Sequence, residues 1–210
     1  AAADTLEAGG GADELQGGPG GDTLSGGPGR DTAIYADSSA SVLVDLARDN
    51  YSDGAAAGDR LSGIEHLEGS DHGDRLFAND ARNVLEGAGG GDNLIGRGSN
   101  DRLEGGAGED RLDGDGGDDR LIGGADGDRL IGGPGQDTLS YASSPAGVSI
   151  DLDDETASGG HAEGDKIAPT VETDLLGSFT YAPAENLIGS DHADTLDGDE
   201  RANTIHGGSD

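Results

Sequence analysis

Between residues 76 and 139 a leucine recurs every ninth position: Leu76, Leu85, Leu94, Leu103, Leu112, Leu121, Leu130 and Leu139. Most stand between two larger, mainly polar neighbours, and the six residues separating one such triplet from the next are chiefly glycine and aspartate. A three-residue x-L-x segment predicts a very short strand, whose leucine points to one side and whose neighbours point to the other. The spacers predict tight turns, since glycine is unfavourable inside a helix or strand and tolerates backbone conformations closed to other residues. One such strand buries almost nothing. Stacked copies bury a continuous leucine column, so the period predicts a solenoid whose units are stable only together.

A second row runs in the same phase: Asp92, Asp101, Asp110, Asp119, Asp128 and Asp137. The units GAGGGDNLI (from Gly87), GRGSNDRLE, GGAGEDRLD, GDGGDDRLI, GGADGDRLI and GGPGQDTLS follow without a gap and reduce to G-G-x-G-x-D-x-L-x. Three earlier units begin at Ala8, Gly17 and Gly26 and carry Asp13, Asp22 and Asp31; the third has Ala33 in place of leucine.

The chain divides accordingly. Residues 1–34 form a first repeat block, 35–68 a non-repeating interlude that continues or caps the solenoid, and 69–140 the main block of eight nonapeptides. Residues 141–188 form a second interlude, and 189–210 open a third block that contains Asp194. The two interludes are copies. GGPGRDTAIYADSSASVLVDL aligns with GGPGQDTLSYASSPAGVSIDL, and GSDHGDRL with GSDHADTL, the second copy carrying an insertion near KIAPTVETDLLGSFTYAP. Val42–Leu46 and Val148–Leu152 alternate as strands, and Tyr35, Tyr141, Phe179 and Tyr181 are expected to form local core beneath the longer loops.

Composition sharpens this picture. Of 210 residues, 44 are acidic and 12 are Lys or Arg, a net charge of −32, while 42 are glycine and only 31% are hydrophobic. Such a chain cannot offset ordering entropy and self-repulsion by burial alone, so it is expected to be disordered until the carboxylates are neutralised. The sign of the charge excludes nucleic acid as a partner. There is no cysteine, hence neither a disulfide framework nor a thiolate metal site, and no apolar run is long enough to span a membrane. The last residues, GGSD, read as the opening of another nonapeptide, so the sequence is expected to belong to a longer protein.

Single aspartates spaced among glycine turns point to discrete cation sites. An open turn directs several carbonyl oxygens into one small space, and the aspartate adds a carboxylate. Mixed, oxygen-only coordination with flexible geometry suits calcium better than magnesium, zinc or copper.

GGPGGDTLS (Gly17–Ser25), GGAGEDRLD and GGPGQDTLS resemble the nonapeptide of the RTX, or haemolysin-type calcium-binding, family. The resemblance implies an all-β fold, a right-handed parallel β-roll in which two units make one coil. It also implies that each calcium lies between the turns of units n and n+2 and is shared by their aspartates. Carried onto this chain, the metal-binding carboxylates are Asp13, Asp22, Asp31, Asp74, Asp92, Asp101, Asp110, Asp119, Asp128, Asp137 and Asp194. The turn glycines that match are Gly87, Gly90, Gly105, Gly106, Gly108, Gly114, Gly117, Gly123, Gly124, Gly132, Gly133 and Gly135. The best sites fall between Asp92 and Asp110, Asp110 and Asp128, Asp101 and Asp119, and Asp119 and Asp137, and roughly five to ten ions are expected in all. Asn83, which lacks the charge, Arg97 and Ser99, which replace glycines, and His72, ahead of Asp74, mark weaker or empty sites; Asp126 adds charge but strains its turn.

The five histidines, His66, His72, His161, His192 and His206, offer no HExxH pair and no nucleophile–base arrangement, so no enzymatic activity is expected. Outward arginines in register, Arg111 beside Arg129 and Arg102 beside Arg120, leave two readings open. They form either a solvated face balanced by Glu86, Glu104 and Asp113, or a surface for an anionic polysaccharide or cell surface. Ile95, Ile122 and Ile131 are expected to add outward apolar strips. The resemblance further implies an extracellular protein exported by type I secretion, with calcium-induced folding as its function. The alternatives are an adhesin or glycan-binding module, or an accessory domain of a secreted enzyme.

Overall fold

A computed structural model describes residues 2–48, 54–152, 154–167, 185–199 and 202–208, and the backbone alone for 171–174 and 177–180. Tyr181 lies outside the described residues, as does the side chain of Phe179.

The described residues form strands and turns with two short 3-10 segments, Gly54–Ala56 and Gly160–Ala162. In the main block the strands alternate between two facing sheets. One takes β8 (Arg75–Phe77), β10 (Asn93–Ile95), β12 (Arg111–Asp113) and β14 (Arg129–Ile131). The other takes β9 (Val84–Gly89), β11 (Arg102–Ala107), β13 (Arg120–Ala125) and β15 (Thr138–Ser140). All these neighbours pair in parallel, with Asn93 opposite Arg111 and Leu103 opposite Leu121, one coil of two nonapeptides apart. This is a parallel β-roll.

The leucines of both sheets point inward and are sealed, Leu76 through Leu121 being fully buried. Fully burying one leucine contributes about 1.5–3 kcal/mol, so the column supplies most of the apolar stabilisation of a chain this poor in large side chains. Ala33 also stands in the column, between Leu15 and Leu67, so the missing leucine leaves the register intact.

Two sequence expectations need correction. Three strands of the second sheet, β9, β11 and β13, run six residues rather than three, because the start of the glycine turn also pairs, Gly106 with Gly124 and Ala107 with Ala125. Two of the three outward isoleucines are covered, while Ile95 is half-buried. Ile131 is fully buried and Ile122 nearly so, and the Gly160–Ala162 segment packs beside β13.

Both interludes are built into the coil by the same detour. After β4 (Thr32–Ile34) the chain crosses to β5 (Leu43–Asp45), which lies beside β8, three strands later in the sequence. It then returns to lay β6 (Arg60–Ser62) beside β3 (Thr23–Ser25), and crosses to β7 (His66–Glu68) beside β4. In the second copy, β16 (Ser149–Asp151) lies beside β22 (Thr195–Asp197). The chain doubles back through antiparallel β17 (Thr156–Ser158) to β18 (Lys166–Ile167), which pairs with β14. The insertion of this copy contains an antiparallel hairpin of its own, β19 (Val171–Asp174) with β20 (Gly177–Thr180). The opposite sheet is undisturbed by either detour. It runs as nine strands in parallel order, from β2 (Glu14–Leu15) through β4, β7, β9, β11, β13 and β15 to β21 (Asn186–Ile188) and β23 (Thr204–His206).

Candidate metal centre

Each aspartate of the repeat sits just before its strand, and parallel stacking brings it over the aspartate one coil away. The backbone N–H of Asp92 donates to Oδ1 of Asp110 at 2.7 Å, Asp110 N–H to Asp128 at 2.9 Å, Asp101 to Asp119 at 2.7 Å and Asp119 to Asp137 at 2.8 Å. The first block repeats the pattern from Asp4 to Asp22 and from Asp13 to Asp31. One carboxylate oxygen of each residue therefore fixes the vertical spacing of the coils.

The other oxygen is the chemically informative one. Oδ2 of Asp13, Asp22, Asp31, Asp92, Asp101, Asp110, Asp119, Asp128 and Asp137 is buried and accepts no hydrogen bond from the protein. Burying an unanswered carboxylate costs several kcal/mol, so this state demands a proton or a cation. In the six aspartates of the main block, Asp92 through Asp137, burial first, and neighbouring carboxylates second, raise the carboxyl group against the opposing effect of the backbone N–H it accepts. Asp128 is pushed up to about 8, Asp92, Asp101 and Asp137 to about 7, and Asp110 and Asp119 to about 6.

Backbone oxygens converge on the same places. A methyl group built on Gly114 would meet both Asp119 Oδ2 and the Gly132 carbonyl oxygen at 2.5 Å, and one on Gly105 would collide with Asp110 Oδ2 and the Gly123 carbonyl oxygen. Gly106 and Gly108, with φ of 113° and 124°, lie against the carbonyls of Ala88 and Gly90 in the preceding coil. Only a residue without Cβ fits there. Among the described residues no three His, Asp or Glu side chains gather into a metal-holding cluster, so side chains alone do not make a site. Carboxylates in pairs, completed by main-chain carbonyls, are a hard-oxygen donor set of the kind calcium takes. The residues present fit that ion.

The family model of the RTX calcium-binding nonapeptide repeat matches residues 1–33, 59–94, 68–103, 86–121, 104–139 and 188–210, more than half of the chain. The chain belongs to this family. Calcium binding by its RTX repeats follows. No curated protein matches the chain.

The RTX turns are not all alike. Asp74 and Asp194 are met within their own turns: Ser70 N–H donates to Asp74 Oδ2 at 2.6 Å, and Ser190 N–H to Asp194 Oδ2 at 2.8 Å. Ser70 and Ser190 also bind the N–H of His72 and His192, so these two histidines belong to a repeated structural turn. Asn83 accepts the Asn79 N–H and donates to the Glu65 carbonyl, closing its turn without charge. Arg97, at φ 68°, reaches back over the Phe77 ring, donates to the Ala78 carbonyl and grips Asp45 of β5 through two nitrogens at 2.7 and 2.8 Å. It ties the first interlude to the main block. Ser99 and Asp126 also adopt positive φ, 82° and 77°, conformations that glycine adopts more cheaply.

The structure adds members that the nonapeptide pattern does not mark. Asp22 N–H donates to Asp59 at 2.8 Å and Asp128 N–H to Asp165 at 2.9 Å; Asp31 and Asp137 donate instead to Glu65 and Glu185. Asp59 and Asp165 open DRL and DKI triplets, each after a single glycine, Gly58 and Gly164, a trace of the unit that survives without the rest of its glycine turn. At both, the second oxygen accepts a tyrosine hydroxyl, from Tyr35 at 3.1 Å and from Tyr141 at 2.8 Å.

The outward arginines stand in the predicted register, Arg111 beside Arg129 and Arg102 beside Arg120. Arg111 pairs with Asp113 at 2.7 Å, and Arg102 with Glu86 at 3.2 Å and with Glu104. These pairs are what a charge-balanced, solvated face requires.

Proposed function

We propose that this chain is a calcium-triggered folding module of a secreted protein. The observation that carries the reading is the row of buried aspartate Oδ2 atoms with no protein donor, all but that of Asp13 belonging to a carboxylate whose other oxygen accepts a backbone N–H of the neighbouring coil. In this reading Asp13, Asp22, Asp31, Asp92, Asp101, Asp110, Asp119, Asp128 and Asp137 supply the metal-facing carboxylates. The carbonyls of the adjoining glycine turns complete each site. Asp110 and Asp119 each serve two sites, which makes binding cooperative along a stack.

Calcium binds the stacked coil and not the loose chain, so it stabilises folding by mass action, about 2.7 kcal/mol per site at a hundredfold excess over Kd. Where calcium is scarce, a net charge of −32 keeps the chain expanded, a state suited to export through a narrow channel. Where calcium is plentiful the roll closes. The family resemblance supports an extracellular destination by type I secretion. The module itself is read as non-catalytic, its turn carboxylates serving the metal ladder.

Circular dichroism and small-angle scattering during a calcium titration test this. A chain that is expanded in excess chelator and compacts into β-structure with a steep calcium dependence is the expected result. A chain already folded in chelator and unchanged by calcium would overturn the reading.

A further inference from the structure

A cavity of about 220 Å³ opens on the long parallel sheet where β4, β7 and β9 meet, and its walls are cationic in a molecule that is overwhelmingly anionic. Thr32, His66 and Val84 stand side by side across it in register. Arg30 and Arg82 flank it from the turns that precede β4 and β9, and Arg102 closes it from β11. Neighbouring strands lie about 4.8 Å apart, so side chains two strands apart are roughly 10 Å apart at their roots, with space for an anion between two guanidinium groups.

The charges around the cavity are not fully matched. Glu65 lines it but gives one oxygen to the Asp31 N–H, at 3.0 Å. Glu86 stands 3.4 Å from His66 Nε2 and 3.2 Å from Arg102, and His66 Nδ1 lies 3.3 Å from the Thr32 hydroxyl. Among the described residues, no carboxylate lies within ion-pair distance of Arg30 or Arg82.

The internal duplication separates function from scaffold here. The second copy repeats the same backbone frame, with Thr138, Asn186 and Thr204 in register on β15, β21 and β23. Yet it carries Gln136 where the first copy has Arg30, Asn186 for His66 and Ala202 for Arg82. The frame therefore forms without a cation at these three positions, the second copy carrying its arginine one residue earlier, at Arg201.

We propose that this cavity is an oxyanion site for a tetrahedral dianion of the phosphate class, held between Arg30 and Arg82 with Arg102 as the third wall. Two guanidinium groups with no described carboxylate in ion-pair distance match a doubly charged group with oxygens on both sides, the geometry arginine recognises best. The site rests on the fold and not on how many calcium ions the roll holds.

Isothermal titration of the full, calcium-loaded chain with sodium sulfate, as the free tetrahedral anion, and with glycerol phosphate, as an ester, tests the assignment. Saturable binding of at least one of them at a single site is expected, and which one binds separates a free anion from an esterified ligand. The variant R30Q/R82A, which installs the second copy's residues, should weaken that binding at least about tenfold while leaving the calcium-induced circular dichroism unchanged. If the double variant does not fold with calcium, R30Q and R82A taken singly carry the same comparison. No saturable binding of either anion overturns the site. So does binding that survives the arginine substitutions, because it would then belong to bound calcium or to the general surface.

Discussion

The phenolic hydroxyl of Tyr141 donates a 2.8 Å hydrogen bond to Oδ2 of Asp165, and Tyr35 makes the same bond to Asp59 in the other copy of the interlude. In both, the hydroxyl meets the oxygen that is left without a protein donor in the regular turns. The ladder of carboxylates thus continues through each interlude, with a neutral donor answering the second oxygen. Tyr141→Phe should leave the Asp165 oxygen buried and unanswered and cost about 1–3 kcal/mol, read as a lower melting temperature of the calcium-loaded chain. Tyr35→Phe should behave alike. Unchanged melting for both would remove the tyrosines from the ladder.

Asp110 lies in the middle of one stack, with its N–H on Asp128 and its Oδ1 on the N–H of Asp92. Asp110→Asn keeps an oxygen for that N–H, as Asn83 accepts the Asn79 N–H in a turn of the same series, but removes the metal-facing charge. Calcium stoichiometry by equilibrium dialysis should fall, and the folding midpoint should move to higher calcium. Asp154→Ala, at an exposed turn, should leave both unchanged. Equal effects from the two substitutions would contradict the assigned register.

Glycine positions differ in what they tolerate. Gly105→Ala drives a methyl group into Asp110 Oδ2 and the Gly123 carbonyl, whereas Gly98→Ala meets nothing closer than 3.8 Å. The first should raise the calcium needed for folding severalfold or abolish folding, and the second should be close to neutral; calcium titrations followed by circular dichroism compare them. Tolerance of both would show that the turn is looser than the structure places it.

Protons compete with calcium for the same oxygens. The folded-state values of about 6 for Asp110 and Asp119, about 7 for Asp92, Asp101 and Asp137, and about 8 for Asp128 all lie above the ordinary 3.8. A raised carboxylate makes the folded state bind more protons than the unfolded one. Its contribution is fully present below the unfolded value and is lost as pH rises through the folded one. In chelator, therefore, residual β-structure should be greatest below about pH 4 and decline by pH 8, while calcium affinity should rise over the same interval. A chelated chain more ordered at pH 8 than at pH 5 would refute this.

Much of this protein is legible in its sequence because the repeat is one-dimensional. The period of nine fixes which leucines face inward and which aspartates share a side, and Leu94 against Leu112 and Asp92 against Asp110 follow from counting. The turn chemistry is equally local, since glycine permits the backbone and aspartate supplies the charge. Asp59, Asp165, Glu65 and Glu185 were not marked in this way, because the residues that recruit them to the ladder lie 34 to 48 positions away in the chain. Ile131 reads as outward on period alone, yet it is fully buried, because sequence parity gives a side of the sheet and not what covers it. The detour that places β5 beside β8 before β6 is laid beside β3 has no periodic signature at all. Local repetition thus determined the coil and its ion-binding chemistry. Only the tertiary structure decided where that coil is interrupted and which buried oxygens a tyrosine answers, since those choices depend on long-range strand pairing.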